Sequence, residues 1–379
     1  MDGLLNLLNG NDFLQGGLSL MLVGAVLAGI RFLPHILWEA MWRRFGVTIV
    51  IRDQTMVRWL GIWLSEHEFG KRSHWLEATT LDGKDGFDVV LRPGPGLHVF
   101  PFRKRRFYLS HELEEAGLAG KISVMNLRVL RPDRDLVGRL IAEVKARANQ
   151  ERVGKTPVFV SGRGYWDLLR LVPKREPQTV FLQPGLLNDV FTDAMWFFDS
   201  EAWYRRRGVP YRRGYLLHGE PGNGKSSLVQ ALASHCDAPI YLLSVTDDEF
   251  TDQHLVRVMG TVPPKSLVVL EDFDKVDFSK TGITMAGLLN AIDGPLASEE
   301  RILIITGNDV SGLGASLLRP GRIDRRWYIG APSPEAIEEC LVRFGVDGQG
   351  SAIAAEAQVR GWTMAELQSR LWAQTEVKA

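Results

Sequence analysis

The chain has 379 residues, 45% of them hydrophobic and 24% charged, enough for two or three domains with buried cores. Its 45 basic and 45 acidic side chains cancel, so nothing in the overall charge points to nucleic acid or to a strongly charged surface as partner. Two cysteines, Cys236 and Cys340, exclude a disulfide framework, and no Cys/His cluster has the spacing of a zinc site.

The first distinctive element is N-terminal. Phe13–Ile30 is a run of 18 residues without a charge, about 27 Å if helical, which is the lower limit for crossing a bilayer. It carries Gly16, Gly17, Gly24 and Gly29, costly in a soluble helix and commoner in membrane ones. Trp38 and Trp42 follow at the depth of a membrane interface. No Lys or Arg precedes Arg31, which argues against a secretory signal peptide. Arg31, Arg43, Arg44 and Arg52 all lie beyond the run and place the rest of the chain on the cytoplasmic side, or the matrix side in a mitochondrion. Residues 1–45 are therefore expected to hold one transmembrane helix.

Residues 46–160 read as a small β-rich domain with one helix. Val47–Ile51, Phe87–Leu91, Leu97–Phe100 and Ile122–Met125 are strand-like, and Pro93-Gly94-Pro95-Gly96 is a turn. Asp135–Arg147 is an amphipathic helix with Leu136, Leu140, Ile141 and Val144 on one face. The basic run Arg103–Arg106 fits a lipid headgroup, RNA or an acidic partner, but a solvated turn is the plainer reading.

From residue 161 to about 330, strands and helices alternate. Tyr215–His218, Ile240–Ser244, Ser266–Leu270 and Ile302–Thr306 are the expected strands of a parallel sheet flanked by helices on both faces. Residues 331–379 are helical, with Ile337, Leu341 and Phe344 on one face and Met364, Leu367 and Leu371 on another. The fold class is α/β: a membrane helix, a β-rich middle domain, a phosphate-loop module and a small helical lid.

Directly after Tyr215–His218 comes Gly219-Glu220-Pro221-Gly222-Asn223-Gly224-Lys225-Ser226, followed by Ser227 and a helical run to Ala233. This is a complete phosphate loop between a strand and a helix. Its glycines allow a tight backbone whose N–H groups face one phosphate chain at a helix N-terminus. Lys225 reaches the β/γ-phosphates, and the Ser226 hydroxyl can ligate Mg²⁺. Further on, the apolar strand Leu267–Leu270 ends in Glu271 and Asp272. Such a pair serves the Mg²⁺ shell and the attacking water. The strand Ile304-Ile305-Thr306 leads to Asn308, whose amide can orient a water. Arg319 and Arg322 flank a Pro-Gly turn and suit the charge of a transferring phosphoryl group, supplied in cis or in trans.

In this order the elements resemble the AAA ring ATPases over residues 180–330. A narrower resemblance rests on Gly208-Val209-Pro210-Tyr211-Arg212-Arg213-Gly214-Tyr215-Leu216-Leu217, on Glu271-Asp272-Phe273-Asp274, and on Ala286-Gly287-Leu288-Leu289-Asn290-Ala291-Ile292-Asp293-Gly294. These look like the Bcs-type chaperones, mitochondrial translocases of the Rieske iron–sulfur protein, with their bacterial relatives. The resemblance implies ATP and Mg²⁺ as cofactors, a homo-oligomeric ring and single-pass insertion in an inner membrane. It also implies a protein client, of which an iron–sulfur protein is the mitochondrial case. No nucleic acid is expected. Carried over by position, Gly219–Ser227 bind the nucleotide, Asn308 is the first sensor, and Arg319 and Arg322 are the arginine fingers. Most AAA proteins order the carboxylates Asp then Glu. Here the register puts Glu271 on the metal and Asp272 on the water, and the exchanged assignment stays open. Glu220 replaces the proline that usually follows the first glycine.

AAA machines that thread unfolded chains carry an aromatic-apolar-Gly loop after the second core strand. Val245–Asp252 has one aromatic, Phe250, and no glycine, so a client admitted folded or partly folded is expected. The rival reading is a nucleotide-gated scaffold in which binding, not turnover, controls assembly.

Overall fold

The computed structural model describes residues 20, 21, 23, 24, 37–67, 75–83, 86–115, 121–130, 134–245, 248–294, 299–310, 312–346 and 350–376. The chain forms two compact units, one running to Glu114 and resuming over Ser123–Arg147, the other comprising Glu115–Ile122 and Ala148–Ala379. Among the described residues no helix is long and apolar enough to cross a membrane. The expected span Phe13–Ile30 lies outside the described residues except for Leu20, Met21, Val23 and Gly24. The first three of these side chains are exposed.

In the first unit, β1 (Gly46–Ile51) leads into α1 (Gln54–Glu66), whose first turn is capped by the Asp53 carboxylate accepting from Met56 N at 2.7 Å. The hairpin β2 (Leu76–Gly83) and β3 (Gly86–Pro93) is a two-stranded sheet of its own. The other strands are β4 (Gly96–Phe102), β5 (Arg105–Glu115) and β6 (Lys121–Leu130), and the sheet order is β1-β6-β5-β4. Alternation sends Phe100, Phe102, Phe107 and Leu109 inward. Trp63 of α1 presents an edge to Phe100 and Phe102, and Phe100 stacks on Phe107 at 5.5 Å. Burying side chains of this size contributes about 2 kcal/mol each. Helix α2 (Arg134–Arg152) buries Leu136, Leu140 and Val144 of the face expected from its spacing, with Ile141 half-buried at its side.

One sequence expectation changes here, and the plainer reading of the basic run as a turn holds. The middle domain holds a second helix, α1. Val57, Trp59, Leu60, Ile62, Trp63 and Leu64 are buried, while Gln54, Thr55, Arg58, Ser65 and Glu66 form its more accessible polar side. The basic run is a tight turn between β4 and β5, with Arg103 and Lys104 both at positive φ and Arg103 paired to Glu143 at 2.9 Å.

The second unit is built on a seven-stranded sheet. Its strands are β7 (Lys155–Ser161), β8 (Trp166–Pro173), β9 (Arg212–His218), β10 (Ile240–Leu242), β11 (Ser266–Leu270), β12 (Arg301–Gly307) and β13 (Arg325–Tyr328). The order is β13-β9-β12-β11-β10-β7-β8, parallel throughout except for the antiparallel pair β7–β8. Strand β7 lies at the end of residues 46–160, the range expected from sequence to be the β-rich domain. It pairs instead with β10, Val158 opposite Ile240. Strand β10 is shorter than expected and ends at Leu242.

The expected helices on both faces are present, and the strands explain why. Tyr215 and Leu217, Leu267 and Val269, and Ile302 and Ile304 face one core; Leu216, Val268, Leu270, Leu303 and Ile305 face the other. Strands buried at every position, such as β12, need cover on both sides. The first core is closed by α3 (Leu186–Phe198) and α5 (Lys225–His235), with the short α4 (Glu201–Arg207) between them in the chain; the second is closed by α6 (Asp252–Thr261) and α7 (Met285–Asp293). A third, smaller core gathers Ile337 and Leu341 of α8 (Pro334–Arg343), Ala357 of α9 (Gly350–Arg360) and Met364, Leu367 and Leu371 of α10 (Met364–Glu376) around Phe181. Cys236 and Cys340 lie in these cores, where burial pushes both thiols up to about 11, far from reactivity.

One half-buried charge ties α3 to the sheet. Asp193 accepts hydrogen bonds from Tyr215 Oη at 2.7 Å, Arg213 Nε at 3.0 Å and Arg325 Nε at 3.1 Å. Burial alone would raise its carboxyl, but the bonds from Arg213 and Tyr215 and the Arg213 charge hold it below the usual carboxylate range.

Candidate nucleotide site

Strand β9 delivers the chain to the loop at His218, and α5 starts at Lys225. The three motif glycines all adopt positive φ: Gly219 at 138°, Gly222 at 85° and Gly224 at 100°. A Cβ on Gly219 would also lie 2.2 Å from the Ile329 carbonyl oxygen, so no other residue fits there. Lys225 is only 8% exposed. Its Nζ donates to the Gly219 carbonyl at 2.6 Å, the Glu220 carbonyl at 3.0 Å and Asn308 Oδ1 at 2.9 Å. Burial lowers the Lys225 amine from its ordinary value, opposed by the charges of Asp272 and Asp274. The ammonium is thus aimed across the loop at the tip of β12.

Ser226 Oγ donates to Glu271 Oε1 at 2.8 Å, so the hydroxyl and carboxylate expected to share a metal stand together. Asp272 does something different. Its backbone is left-handed, φ 48° and ψ 44°, and its N–H donates to Thr306 Oγ1 at 3.1 Å. This conformation costs a non-glycine residue about 1–2 kcal/mol and is tolerated where the surroundings impose it. Its carboxylate accepts from Lys275 Nζ at 2.7 Å. Asp272, Asn308 and Lys225 line one cavity of about 330 Å³; Glu271 is not among its lining residues.

Pro221, Gly222, Gly224, Lys225, Ser226 and Ser227 also line that cavity. Three loop residues read from sequence as nucleotide-binding do not: Glu220, Asn223 and Gly219, whose carbonyl accepts from Lys225. Glu220 contributes its carbonyl to Lys225. Asn223 is buried, and its Oδ1 accepts from Met364 N at 3.3 Å, because the start of α10 docks on the loop. Ala365 N reinforces that docking by donating to the Gly222 carbonyl at 3.0 Å. The far wall comes from residues the motifs did not mark. Arg175, Thr179, Val180 and Phe181 precede α3, and Met364, Ala365 and Gln368 come from α10. Val180, Phe181 and Met364 make it apolar, suited to a planar base.

Neither expected finger lines this cavity. Arg319 is exposed. Arg322 is not: its Nε meets Asp293 Oδ2 at 2.6 Å and its Nη1 donates to the Ser316 carbonyl at 2.6 Å. In the loop after β10, Phe250 is 2% exposed and packs in the second core. Asp252 binds Thr284 N and Oγ1 at 2.8 Å each, Glu249 pairs with Arg163, and no described residue of Val245–Asp252 offers an exposed aromatic.

Comparison with known proteins decides the family. A family described as BCS1 N terminal matches residues 23–180, and the ATPase family associated with various cellular activities (AAA) matches residues 215–331. Over 372 residues the chain is 32% identical to the mitochondrial chaperone BCS1 of Homo sapiens, covering 92% of this chain and 88% of that protein. The chain belongs to the BCS1 family. Other similar members are the probable mitochondrial chaperone bcs1 of Schizosaccharomyces pombe, 31% identical over 90% of this chain and 82% of that one, and the mitochondrial chaperone BCS1 of Danio rerio, 28% identical over 89% and 86%. This BCS1-family chain is an AAA chaperone whose AAA domain, residues 215–331, contains the loop, both carboxylates, Asn308 and both arginines.

Proposed function

We propose that this BCS1-family chain is a membrane-anchored ring ATPase that uses ATP hydrolysis to move or remodel a protein client. The observation that carries this reading is the meeting of two pairs, Ser226 with Glu271 at 2.8 Å and Lys225 with Asn308 at 2.9 Å, on either side of the turn that presents Asp272. Ser226 and Glu271 would hold Mg²⁺, which neutralises charge on the β- and γ-oxygens of ATP. Lys225 binds those oxygens from the loop side. Asp272 takes the proton of the attacking water and Asn308 orients that water. Val180, Phe181 and Met364 enclose the base, so the α10 lid responds to occupancy through Gly222 and Asn223. Arg319 acts on the nucleotide of a neighbouring subunit, which makes the homo-oligomeric ring part of the chemistry.

Anchoring is the second element of the proposal. Phe13–Ile30 crosses an inner membrane once, and the ATPase lies in the matrix or, in a bacterial host, the cytoplasm. The exposure of Leu20, Met21 and Val23, at 80%, 76% and 57%, supports an apolar segment that faces lipid. Full-length protein is expected to stay with membranes through alkaline carbonate. A chain lacking residues 1–45 should be soluble and still hydrolyse ATP; carbonate release of the full-length chain would dispose of the span.

The client enters folded or partly folded. Burial of Phe250 leaves no paddle in the described part of the loop that threading machines use. A fluorescent domain fused to a captured client should therefore keep its fluorescence during ATP turnover. Its loss at catalytic ratios would make the protein a threading unfoldase.

A further inference from the structure

The two arginines of the Arg319–Arg322 pair stand in opposite situations. Arg319 is exposed, and its backbone carbonyl accepts from the N–H groups of Arg322 and Ile323 at 3.1 Å each. The Arg322 side chain, 15% exposed, is turned back into its own subunit, bridging Asp293 at the end of α7 and the Ser316 carbonyl. The same stretch is tied at further points. Asp324 Oδ1 accepts from Gly321 N and Oδ2 from Gly214 N, both at 2.9 Å. Arg326 Nη2 donates to the Leu318 carbonyl at 2.8 Å. A Cβ on Gly214 would fall 1.6 Å from the Arg322 carbonyl oxygen, so the loop lies directly on β9, the strand that runs into the phosphate loop.

We infer that Arg322 is a positioning residue, not a second finger: with Asp293 it clamps residues 316–324 so that Arg319 alone projects toward the neighbouring nucleotide. The physical case is one of geometry and charge. A guanidinium that stabilises a transferring phosphoryl group must be held close to its working place, because misplacement by about 1 Å can cost a hundredfold. A long, exposed side chain on a free loop has no such placement. The Arg322–Asp293 pair supplies it, since a charge-assisted bond inside the fold outlasts solvent competition better than an exposed one. Freeing Arg322 to act in trans would also leave Asp293, at 35% exposure, without this partner, and would release the Ser316 carbonyl.

The inference rests on the proposed trans role of Arg319, and the experiment separates the two. Turnover, ATP affinity and ring size are measured for Arg319→Ala, Arg322→Ala, Asp293→Ala and the Arg322→Ala/Asp293→Ala double variant. Arg322→Ala and Asp293→Ala should each lower kcat about 10- to 100-fold, with ATP Kd and ring size unchanged. The double variant should fall no further, because one clamp is lost in each case. Asp293→Asn, which keeps the volume and one acceptor, should give a smaller loss and serves if the alanine variant does not fold. Wild-type turnover in both Asp293 variants, with Arg322→Ala inactive, would overturn the inference, since Arg322 would then act directly. A drop in ATP affinity in the Arg322 or Asp293 variants would overturn it as well. Full turnover in Arg319→Ala would instead refute the finger reading itself.

Discussion

Asp272→Asn should leave ATP binding intact and lower turnover by about 10²–10⁴-fold, the contribution of a positioned general base. Asparagine is the informative replacement because the site demands a left-handed backbone, φ 48°, which Asn adopts more readily than most residues. It also keeps an oxygen for Lys275 and the N–H for Thr306, so lost activity reports lost basicity and not a displaced turn. Glu271→Gln should behave differently, weakening Mg²⁺-dependent affinity through its bond to Ser226. Phosphate release and nucleotide affinity, measured on the same preparations, check both. If Asp272→Asn abolishes binding while Glu271→Gln only stops turnover, the two carboxylates exchange roles. Nucleotide binding without phosphate release in the wild-type protein would favour a nucleotide-gated scaffold over an ATPase.

Arg319→Ala should cost about 10³-fold or more in turnover, the scale on which an arginine finger stabilises the phosphoryl transition state. Its own nucleotide affinity should not change, because Arg319 lies outside the cavity of its own subunit. For the same reason wild-type activity should rise more steeply than linearly with protein concentration as rings assemble. Activity proportional to concentration over the whole range, or a fully active Arg319→Ala, would contradict the trans arrangement.

The phosphoryl end of the site was legible because its chemistry demands fixed residue types at fixed spacing. Three glycines at positive φ, a lysine and a hydroxyl leave a signature that survives without any structure. The parallel sheet was legible too, since β11 and β12 are apolar on both faces. The base end was not. Val180, Phe181 and Met364 are ordinary apolar residues, and only the packing of α10 on the loop brings them together. Local composition does not tell which sheet a strand such as β7 joins; its partner, β10, is about 80 residues away in the chain. Spacing makes Arg322 look like Arg319, and the Asp293 contact, between residues 29 positions apart, is what separates their surroundings.

Mixing two inactive variants tests the central claim most directly. Lys225→Ala subunits lack phosphate binding but carry an intact Arg319; Arg319→Ala subunits have an intact nucleotide site but no finger. Each is expected to be inactive alone. Co-assembled in equal amounts, they should recover a substantial fraction of wild-type phosphate release, because some junctions join an intact Lys225 site to an intact Arg319. Mixed rings of confirmed composition that stay as inactive as either parent would contradict a composite ATPase site between subunits.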